Sequence, residues 1–153
     1  MKVKMSKYGS ITLDKIIENV AFIELNVPVF VAQELMTHDR IKNSIDIGNI
    51  GKKMNFWYPE DWIIEGAKNI MPSDSARLNG ELKRAYQSCL WAYHSLMRQG
   101  VPKTQAVSVL PVGIYIKCNI SINCGVLYDI DSKDFTNPIA VAYLESMKSV
   151  ISE

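Results

Sequence analysis

A dense polar segment follows an apolar run early in the chain. The segment THDRIKNSIDIGNIGKKMNFWYP, residues 37–59, contains one His, one Arg, two Asp, three Lys and three Asn, and it comes directly after VPVFVAQELM. One interpretation is a binding site on a loop that a rigid scaffold carries. The other is a solvated turn, in which His38 interacts with the dipole at the end of a helix. The first interpretation assigns ligand binding to His38, Arg40, Asn43, Ser44, Asp46, Lys52 and Lys53.

Other residues with chemical potential form no comparable group. The three cysteines, Cys89, Cys118 and Cys124, form neither a paired framework nor a CxxC motif. Cys118 lies on the apolar face of a predicted strand, so we expect a buried and inert thiol there. His38 and His94, with the scattered acidic residues, lack the spacing of metal ligands. No metal site is therefore predicted.

Length and composition are typical of one globular domain, residues 1–153. The chain is 48% hydrophobic and 22% charged, which excludes general disorder. Its net charge of +1 gives no reason to expect direct binding to nucleic acid or to an anionic membrane. No apolar run approaches the roughly 20 residues of a membrane span, and the start MKVKMSKYGS lacks the apolar core of a signal peptide. We therefore expect a cytoplasmic protein.

The spacing of apolar residues predicts secondary structure in the first third of the chain. ITLDKIIENV, residues 11–20, is predicted to form a short helix with Ile16, Ile17 and Val20 as its apolar face. AFIELNV, residues 21–27, alternates and favours a strand. A second helix is predicted to begin at Pro28. Its predicted buried residues are Val29, Phe30, Ala32, Leu35 and Met36.

The rest of the chain predicts longer helices around one strand. Residues 73–100 have the pattern of a long amphipathic helix, capped by Asp or Ser and followed by Gly100. A shorter helix is predicted from Pro102, an alternating strand over 112–122 and a final helix after Pro138. The apolar stripe of the long helix comprises Leu78, Leu82, Ala85, Cys89, Tyr93 and Leu96, with Trp91 and His94 beside it as core or subunit contacts. Strands interrupted by helices without regular βαβ units indicate the α+β class.

The order of these segments and the residues within them resemble the sequences of the flavin-dependent thymidylate synthases, the ThyX family. ENVAF, residues 18–22, resembles that family's Glu-His-x-x-Phe, and residues 27–38 resemble the helix before its Arg-His-Arg-x-x-Ser-x-Asn-Glu-x-Ser-x-Arg-Tyr signature. FWYPEDW, residues 56–62, resembles the Phe-Tyr-x-Pro segment. Residues 98–123 are similar to the Gly-Val-Pro-x-Glu-x-Ala-Arg-x-x-Leu-Pro passage. The resemblance implies a ThyX-like fold with a mixed or antiparallel sheet and long helices.

Most residues of the family's signature are replaced by other residues in this chain. Only His38 of Arg-His-Arg is kept, and a one-residue insertion would put Arg40 in the place of one arginine. Beyond it, one alignment places Asn43, Ser44 and Asp46 on the family's Asn, Glu and Ser, whereas the gapless alignment keeps none of them. Other functional positions of the family carry Gly48 or Asn49, Thr104, Val107 and Gly125. The resemblance therefore extends to the scaffold more than to the cationic site.

The resemblance implies a reaction and its partners. In this family a reduced flavin and a methylene-folate do the difficult chemistry, while the protein supplies binding, orientation and charge. We therefore expect FAD, methylenetetrahydrofolate and a pyrimidine deoxynucleotide monophosphate as ligands of a homotetramer. The reaction would be methylation or hydroxymethylation of ring carbon five. The implied roles are catalysis for His38 and Arg40, cofactor binding for His38, Asn43, Ser44 and Asn123, and substrate binding for Asp46, Lys52 and Lys53.

The missing arginines also support a different interpretation. Bidentate guanidinium pairs are the usual way to hold phosphate, and lysine replaces them only as a point charge. A chain without them could be a catalytically inactive relative that keeps the fold for binding or assembly. It could also be an accessory subunit that completes its site with a separate chain.

Overall fold

The computed structural model describes residues 1–48, 50, 53–66 and 68–152. The chain divides into two compact units, which are described separately: Met1–Asn55 with Gly113–Glu153 forms unit 1, and Phe56–Val112 forms unit 2. The single domain expected over residues 1–153 stays a prediction. Within the described ranges, no helix has both the length and the apolar character that crossing a membrane would require.

Five strands and five α-helices are found among the described residues. The strands are β1 Lys2–Lys4, β2 Ser10–Ile17, β3 Val20–Pro28, β4 Ile45–Ile47 and β5 Tyr115–Asn123. The α-helices are α1 Val29–Thr37, α2 Pro72–Arg98, α3 Lys103–Ala106, α4 Cys124–Asp129 and α5 Pro138–Ser152. Two short 3-10 helices, Val107–Val109 and Ser132–Asp134, complete the set. Helices and antiparallel strands without βαβ units confirm the predicted α+β class.

Unit 1 is built on a five-stranded sheet with the order β1-β2-β3-β5-β4. Every neighbouring pair in this sheet is antiparallel. Strands β3 and β5 alternate between buried and more exposed residues, as predicted for 21–27 and 112–122. Their inward-facing side chains meet α1 and α5 in one hydrophobic core. The buried side chains of the two strands include Ala21, Ile23, Leu25, Val27, Ile116, Cys118, Ile120 and Ile122.

The predicted helix over residues 11–20 is wrong, because this segment forms the first half of a hairpin. Strand β2 pairs with β3 down to Ile17 opposite Val20, so that a two-residue loop joins them. The loop residues Glu18 and Asn19 have φ angles of 49° and 65°, as a tight hairpin turn requires. Ile17 is 50% exposed, so the expected buried helical face does not exist. The β-branched residues of this segment suit a strand better than a helix.

Helix α1 begins after Pro28, as predicted, and places Val31, Ala32 and Leu35 in the core. Met36 is 39% exposed, so its predicted burial is wrong. The helix is short and one face covers the sheet, which leaves Met36 outside the buried stripe. The C-terminal helix α5 begins at Pro138, also as predicted.

Unit 2 contains the predicted long helix, α2. It begins with Pro72 in its first turn, where the Asp74 carboxylate accepts a hydrogen bond of 3.3 Å from the Met71 N–H. The helix ends before Gly100, whose φ of +85° favours glycine. The predicted shorter helix after Pro102 is confirmed as α3 and the 3-10 turn that follows it.

The apolar stripe of α2 is only partly buried within the described chain. Tyr93 is 5% exposed, as predicted, and Tyr86 adds a buried ring that stacks on Phe56 with 4.7 Å between ring centroids. Ala85 is exposed, contrary to its predicted place in the stripe. Trp91 is 73% exposed, which excludes a core position in unit 2. Its predicted contact with another subunit stays a prediction.

Stability should fall at alkaline pH because of one thiol in the core. Cys118 is fully buried, and burial, with a smaller contribution from the Asp46 carboxylate, raises its pKa from 9.0 to about 11. The unfolded thiol ionises first, so the stabilisation is complete below pH 9 and is lost between pH 9 and about pH 11. This loss amounts to about 2–3 kcal/mol. Urea unfolding at about pH 8 and about pH 10.5 measures it.

The Cys118→Ala variant should lose less stability than the unchanged protein across this pH interval, whereas Cys89→Ala should lose as much. The thiol of Cys89 is partly exposed, which makes it the matched control. Burial also raises the pKa of the Tyr143 hydroxyl, which affects all three proteins alike. An equal loss in Cys118→Ala and the unchanged protein would contradict this assignment.

Candidate functional site

A cavity of about 430 Å³ opens at the C-terminal end of α1 in unit 1. Its volume lies within the roughly 300–1,000 Å³ of small-molecule sites. Both residues predicted to be catalytic, His38 and Arg40, line it. The complete lining consists of Glu34, Thr37, His38, Asp39, Arg40, Asp134 and Phe135. The polar segment after α1 therefore contributes to a concave surface.

Three contacts hold the imidazole of His38: one at each ring nitrogen and one on a face of the ring. Its Nε2 lies 2.9 Å from Oδ2 of Asp134, and its Nδ1 accepts a hydrogen bond of 3.2 Å from the backbone N–H of Arg40. The ring stacks on Phe135, with 5.3 Å between ring centroids and 22° between the planes. Because Nδ1 accepts, the neutral ring carries its hydrogen on Nε2 and donates it to Asp134. His38 thus fixes the backbone at Arg40.

The guanidinium of Arg40 keeps donors available for a ligand. Its side chain is 53% exposed, and its Nη1 lies 3.9 Å from Oδ2 of Asp129. An ion pair so long and so exposed contributes little to stability, so a ligand could displace it at small cost. The neighbouring Asp39 carboxylate is 3.1 Å from the ammonium of Lys42. Consecutive residues therefore offer one strong acceptor and one strong donor at the cavity.

Glu34 holds the opposite wall of the cavity in place. Its Oε1 accepts hydrogen bonds from the backbone N–H of Thr136 at 2.6 Å, from the Thr136 hydroxyl at 3.1 Å and from the Asn137 N–H at 3.1 Å. These bonds tie α1 to the chain that leads into α5. That chain carries Asp134 and Phe135, the two side chains that hold His38.

Replacing Glu34 should destabilise the protein, because its carboxylate anchors one wall of the cavity. We expect Glu34→Ala to lower the free energy of unfolding by about 1–3 kcal/mol, because two backbone donors lose their partner. Urea unfolding measures the loss, and Glu60→Ala, at an exposed position of unit 2, is the control. Equal stability of the two variants would contradict the anchoring role.

Five lining residues were not among the predicted site residues: Thr37 and Asp39 in the polar segment, and Glu34, Asp134 and Phe135 outside it. Neither Asp134 nor Phe135 belongs to a local motif, and Asp134 lies 96 positions from the histidine that it contacts. The one sequence signal near them is Asp131, whose side chain accepts from the Lys133 N–H and starts the short 3-10 helix. Such a signal predicts a turn but not its partner.

The other predicted site residues lie outside this cavity. Asp46 lies on β4 opposite Asn119, and the Ser44 carbonyl accepts a hydrogen bond of 2.9 Å from the Ser121 N–H. Asn123 caps α4, because its Oδ1 accepts from the N–H groups of Gly125 at 2.8 Å and Val126 at 3.2 Å. Asn43 and Lys53 are exposed, and Lys52 lies outside the described residues, as do Asn49 and Gly51. Their assigned roles stay predictions.

The cavity lining does not fit the diphosphate of the FAD that the resemblance implies. Three carboxylates line it against one guanidinium, and that guanidinium already faces Asp129. Diphosphate binding uses clusters of arginine, lysine or backbone N–H donors. These residues are therefore unsuited to hold a flavin diphosphate. Among the residues that the structure describes, no group of three or more His, Cys, Asp and Glu could hold a metal ion.

Comparisons with known proteins agree with the resemblance seen in the sequence. No family model matches the chain. A flavin-dependent thymidylate synthase from Thermus thermophilus is 30% identical over 104 residues, which cover 64% of this chain and 38% of that protein. The match therefore spans well under half of that relative's length.

Solved structures share the fold. Two structures of the UMP/dUMP methylase PolB from Streptomyces cacaoi, bound with 5-Br UMP and with 5-Br dUMP, superpose with TM-scores of 0.72 and 0.69 at 18% sequence identity. The match covers 87% of this chain and 67% and 65% of those chains. The predicted ThyX-like fold is confirmed. The chain is therefore similar in fold to these methylases and, over 104 residues, similar in sequence to a flavin-dependent thymidylate synthase.

Proposed function

We propose that the chain acts in a ThyX-like one-carbon transfer to C5 of a pyrimidine deoxynucleotide monophosphate. The product would be the methylated or the hydroxymethylated base. One observation carries the proposal: His38 and Arg40, from the rewritten signature, line one cavity in the shared fold. The names of the thymidylate synthase and of the UMP/dUMP methylase support the pyrimidine substrate.

In this proposal Arg40 is the residue that contacts the substrate. Its guanidinium donates hydrogen bonds to a ring carbonyl oxygen, which shares the enolate charge that makes C5 nucleophilic. His38 positions the backbone of Arg40, because its Nδ1 accepts a hydrogen bond from the Arg40 N–H. To accept a proton at Nδ1, His38 must first release this bond. The new C5–C bond replaces a C5–H bond, whose hydrogen leaves as a proton.

Cofactors and further contacts belong to the same proposal. FAD would supply electrons and methylenetetrahydrofolate the carbon when they are bound. Since the described cavity does not fit the flavin diphosphate, these ligands need residues elsewhere, such as those of other subunits in a homotetramer. Asn43, Ser44 and Asn123 remain the proposed cofactor contacts, and Asp46, Lys52 and Lys53 the proposed substrate contacts. We expect this assembly in the cytoplasm.

Release of tritium from [5-³H]dUMP tests the reaction. The purified chain is incubated with the nucleotide, methylenetetrahydrofolate, FAD and a reductant. We expect tritium in the water, because C5 must lose its hydrogen. The mass of the product separates methylation from hydroxymethylation. The absence of tritium release together with absent nucleotide binding in calorimetry would overturn the proposal.

The acid-lined cavity supports a second candidate function, a catalytically inactive relative that binds or assembles. An accessory subunit that completes its site with another chain belongs to the same class. This candidate expects His38→Ala to retain the biological activity of a normally folded protein. The first candidate expects that variant to lose it. Co-purification of a second, arginine-bearing homologue would favour the accessory role.

A further inference from the structure

The two nitrogens of the His38 ring make contacts that respond in opposite ways to protonation. Nε2 lies 2.9 Å from Oδ2 of Asp134, and Nδ1 accepts a hydrogen bond of 3.2 Å from the backbone N–H of Arg40. A neutral imidazole has one donor and one acceptor nitrogen, whereas an imidazolium has two donors. Protonation therefore converts the contact with Asp134 into an ion pair and removes the acceptor of the Arg40 N–H.

The surroundings of the ring hold it in place during this change. Phe135 stacks on one face, with 5.3 Å between ring centroids, and the His38 side chain is 12% exposed. The contact with Asp134 persists in both states, because Nε2 carries a hydrogen in both. After protonation, Nδ1–H and the Arg40 N–H are therefore two donors that point at each other.

The other charged groups at the cavity have partners of their own. Glu34 on α1 is bonded to the chain before α5, and Asp39 lies 3.1 Å from the ammonium of Lys42. Arg40 faces Asp129 on α4 at 3.9 Å. Among the described residues, Asp134 is the acid at hydrogen-bond distance from a ring nitrogen of His38. The charged groups that line the cavity with the ring are Glu34, Asp39, Arg40 and Asp134.

The rest of the turn after α1 does not depend on the imidazole. The N–H groups of Ile41 and Lys42 both donate to the backbone carbonyl of His38, at 3.0 and 2.9 Å. Ile41 is also 1% exposed, which fixes the turn to the core. Loss of the Nδ1 acceptor should therefore release the backbone of Arg40 while its two neighbours stay bonded.

We infer that His38 is a pH-sensitive switch for the residue that presents its guanidinium at the cavity, Arg40. The neutral ring orders the Arg40 backbone, and the protonated ring releases it while remaining bound to Asp134. The inference goes beyond the proposed function and does not rest on it, because it concerns the protein without any ligand. For whatever ligand the cavity binds, Arg40 is preorganised only while His38 is neutral.

Nuclear magnetic resonance on the full chain tests the switch between about pH 8 and about pH 5, the interval in which histidine changes its charge. The ¹⁵N shifts of the neutral ring should show the hydrogen of His38 on Nε2. The protection of the Arg40 N–H against solvent exchange, relative to the intrinsic rate at each pH, should fall about three- to tenfold as the ring is protonated, as expected for the loss of one hydrogen bond. The protection of the Ile41 and Lys42 N–H groups should stay unchanged. A neutral ring with its hydrogen on Nδ1, or constant protection of Arg40 while the ring titrates, would overturn the inference.

Two substitutions assign the effect to the imidazole. His38→Asn supplies an acceptor that does not titrate, since asparagine side chains commonly accept from the N–H two residues further on. Arg40 should therefore keep high protection at both pH values in His38→Asn and have low protection at both in His38→Ala. His94→Asn, at an exposed position of α2, should show the same fall as the unchanged protein. A fall of full size in His38→Asn would show that other groups cause it and would overturn the inference.

The outcomes separate this inference from the proposed function. The exchange measurement uses no nucleotide, so a chain without tritium release can still show the switch. Conversely, constant protection of Arg40 removes the switch and leaves the one-carbon transfer to be decided by the tritium assay.

Discussion

Replacing Arg40 by alanine should weaken the binding of a pyrimidine ligand about tenfold or more and abolish tritium release from C5. A hydrogen bond from a charged donor contributes about 1.5–3 kcal/mol, and each 1.4 kcal/mol is about a factor of ten. Arg40 is half exposed and its ion pair with Asp129 spans 3.9 Å, so the fold should tolerate the change. Calorimetry and the tritium assay measure the two effects.

Two further variants make the Arg40 result specific. Arg40→Lys should recover only part of the binding, because an ammonium cannot reproduce the planar fork of the guanidinium. Arg84→Ala, on the exposed side of α2 in unit 2, should bind and react as the unchanged protein does. If Arg40→Ala binds and reacts normally, Arg40 has no role at the substrate.

Replacing Ile23 by alanine should destabilise the protein by about 3 kcal/mol. Ile23 is 1% exposed on β3, the strand that pairs with both β2 and β5. Removing its side chain from the core forfeits the transfer free energy of the lost carbon atoms and leaves a cavity that the sheet cannot easily close. Urea unfolding followed by circular dichroism measures the loss.

Ile63→Ala is the matched control for this change. Ile63 is 89% exposed in unit 2, so removing the same atoms should change the free energy of unfolding by less than about 0.5 kcal/mol. Similar losses in the two variants would show that the sheet core does not determine the unfolding transition.

The hairpin and the later elements show what the sequence could predict. Helices α2 and α5 begin at prolines and have long, regular patterns, so their positions follow from local chemistry. The prediction of a helix where β2 lies was wrong, because the spacing of Ile16, Ile17 and Val20 fits a helical face as well as a strand. What decides between the two structures is pairing with β3, which depends on the whole sheet.

The residues of the candidate site could likewise be predicted only in part. His38 and Arg40 were found because they lie in one polar segment that resembles a known signature. Asp134 and Phe135 contact that segment through the fold alone, so no local pattern indicates them. The charge balance of the cavity could not be predicted for the same reason, since Asp134 adds a carboxylate from a distant part of the chain.

One backbone hydrogen bond bears on how this chain could change in length. Unit 1 is interrupted between Asn55 and Gly113, yet the Asn55 carbonyl accepts a hydrogen bond of 2.9 Å from the Tyr115 N–H. The exit and the re-entry of the chain are therefore neighbours in unit 1. A segment of a different length can connect such neighbours at little entropic cost, about 0.6 kcal/mol for each doubling. Evolution or protein engineering could therefore replace unit 2 with a segment of another length, while the sheet and the cavity of unit 1 stay unchanged.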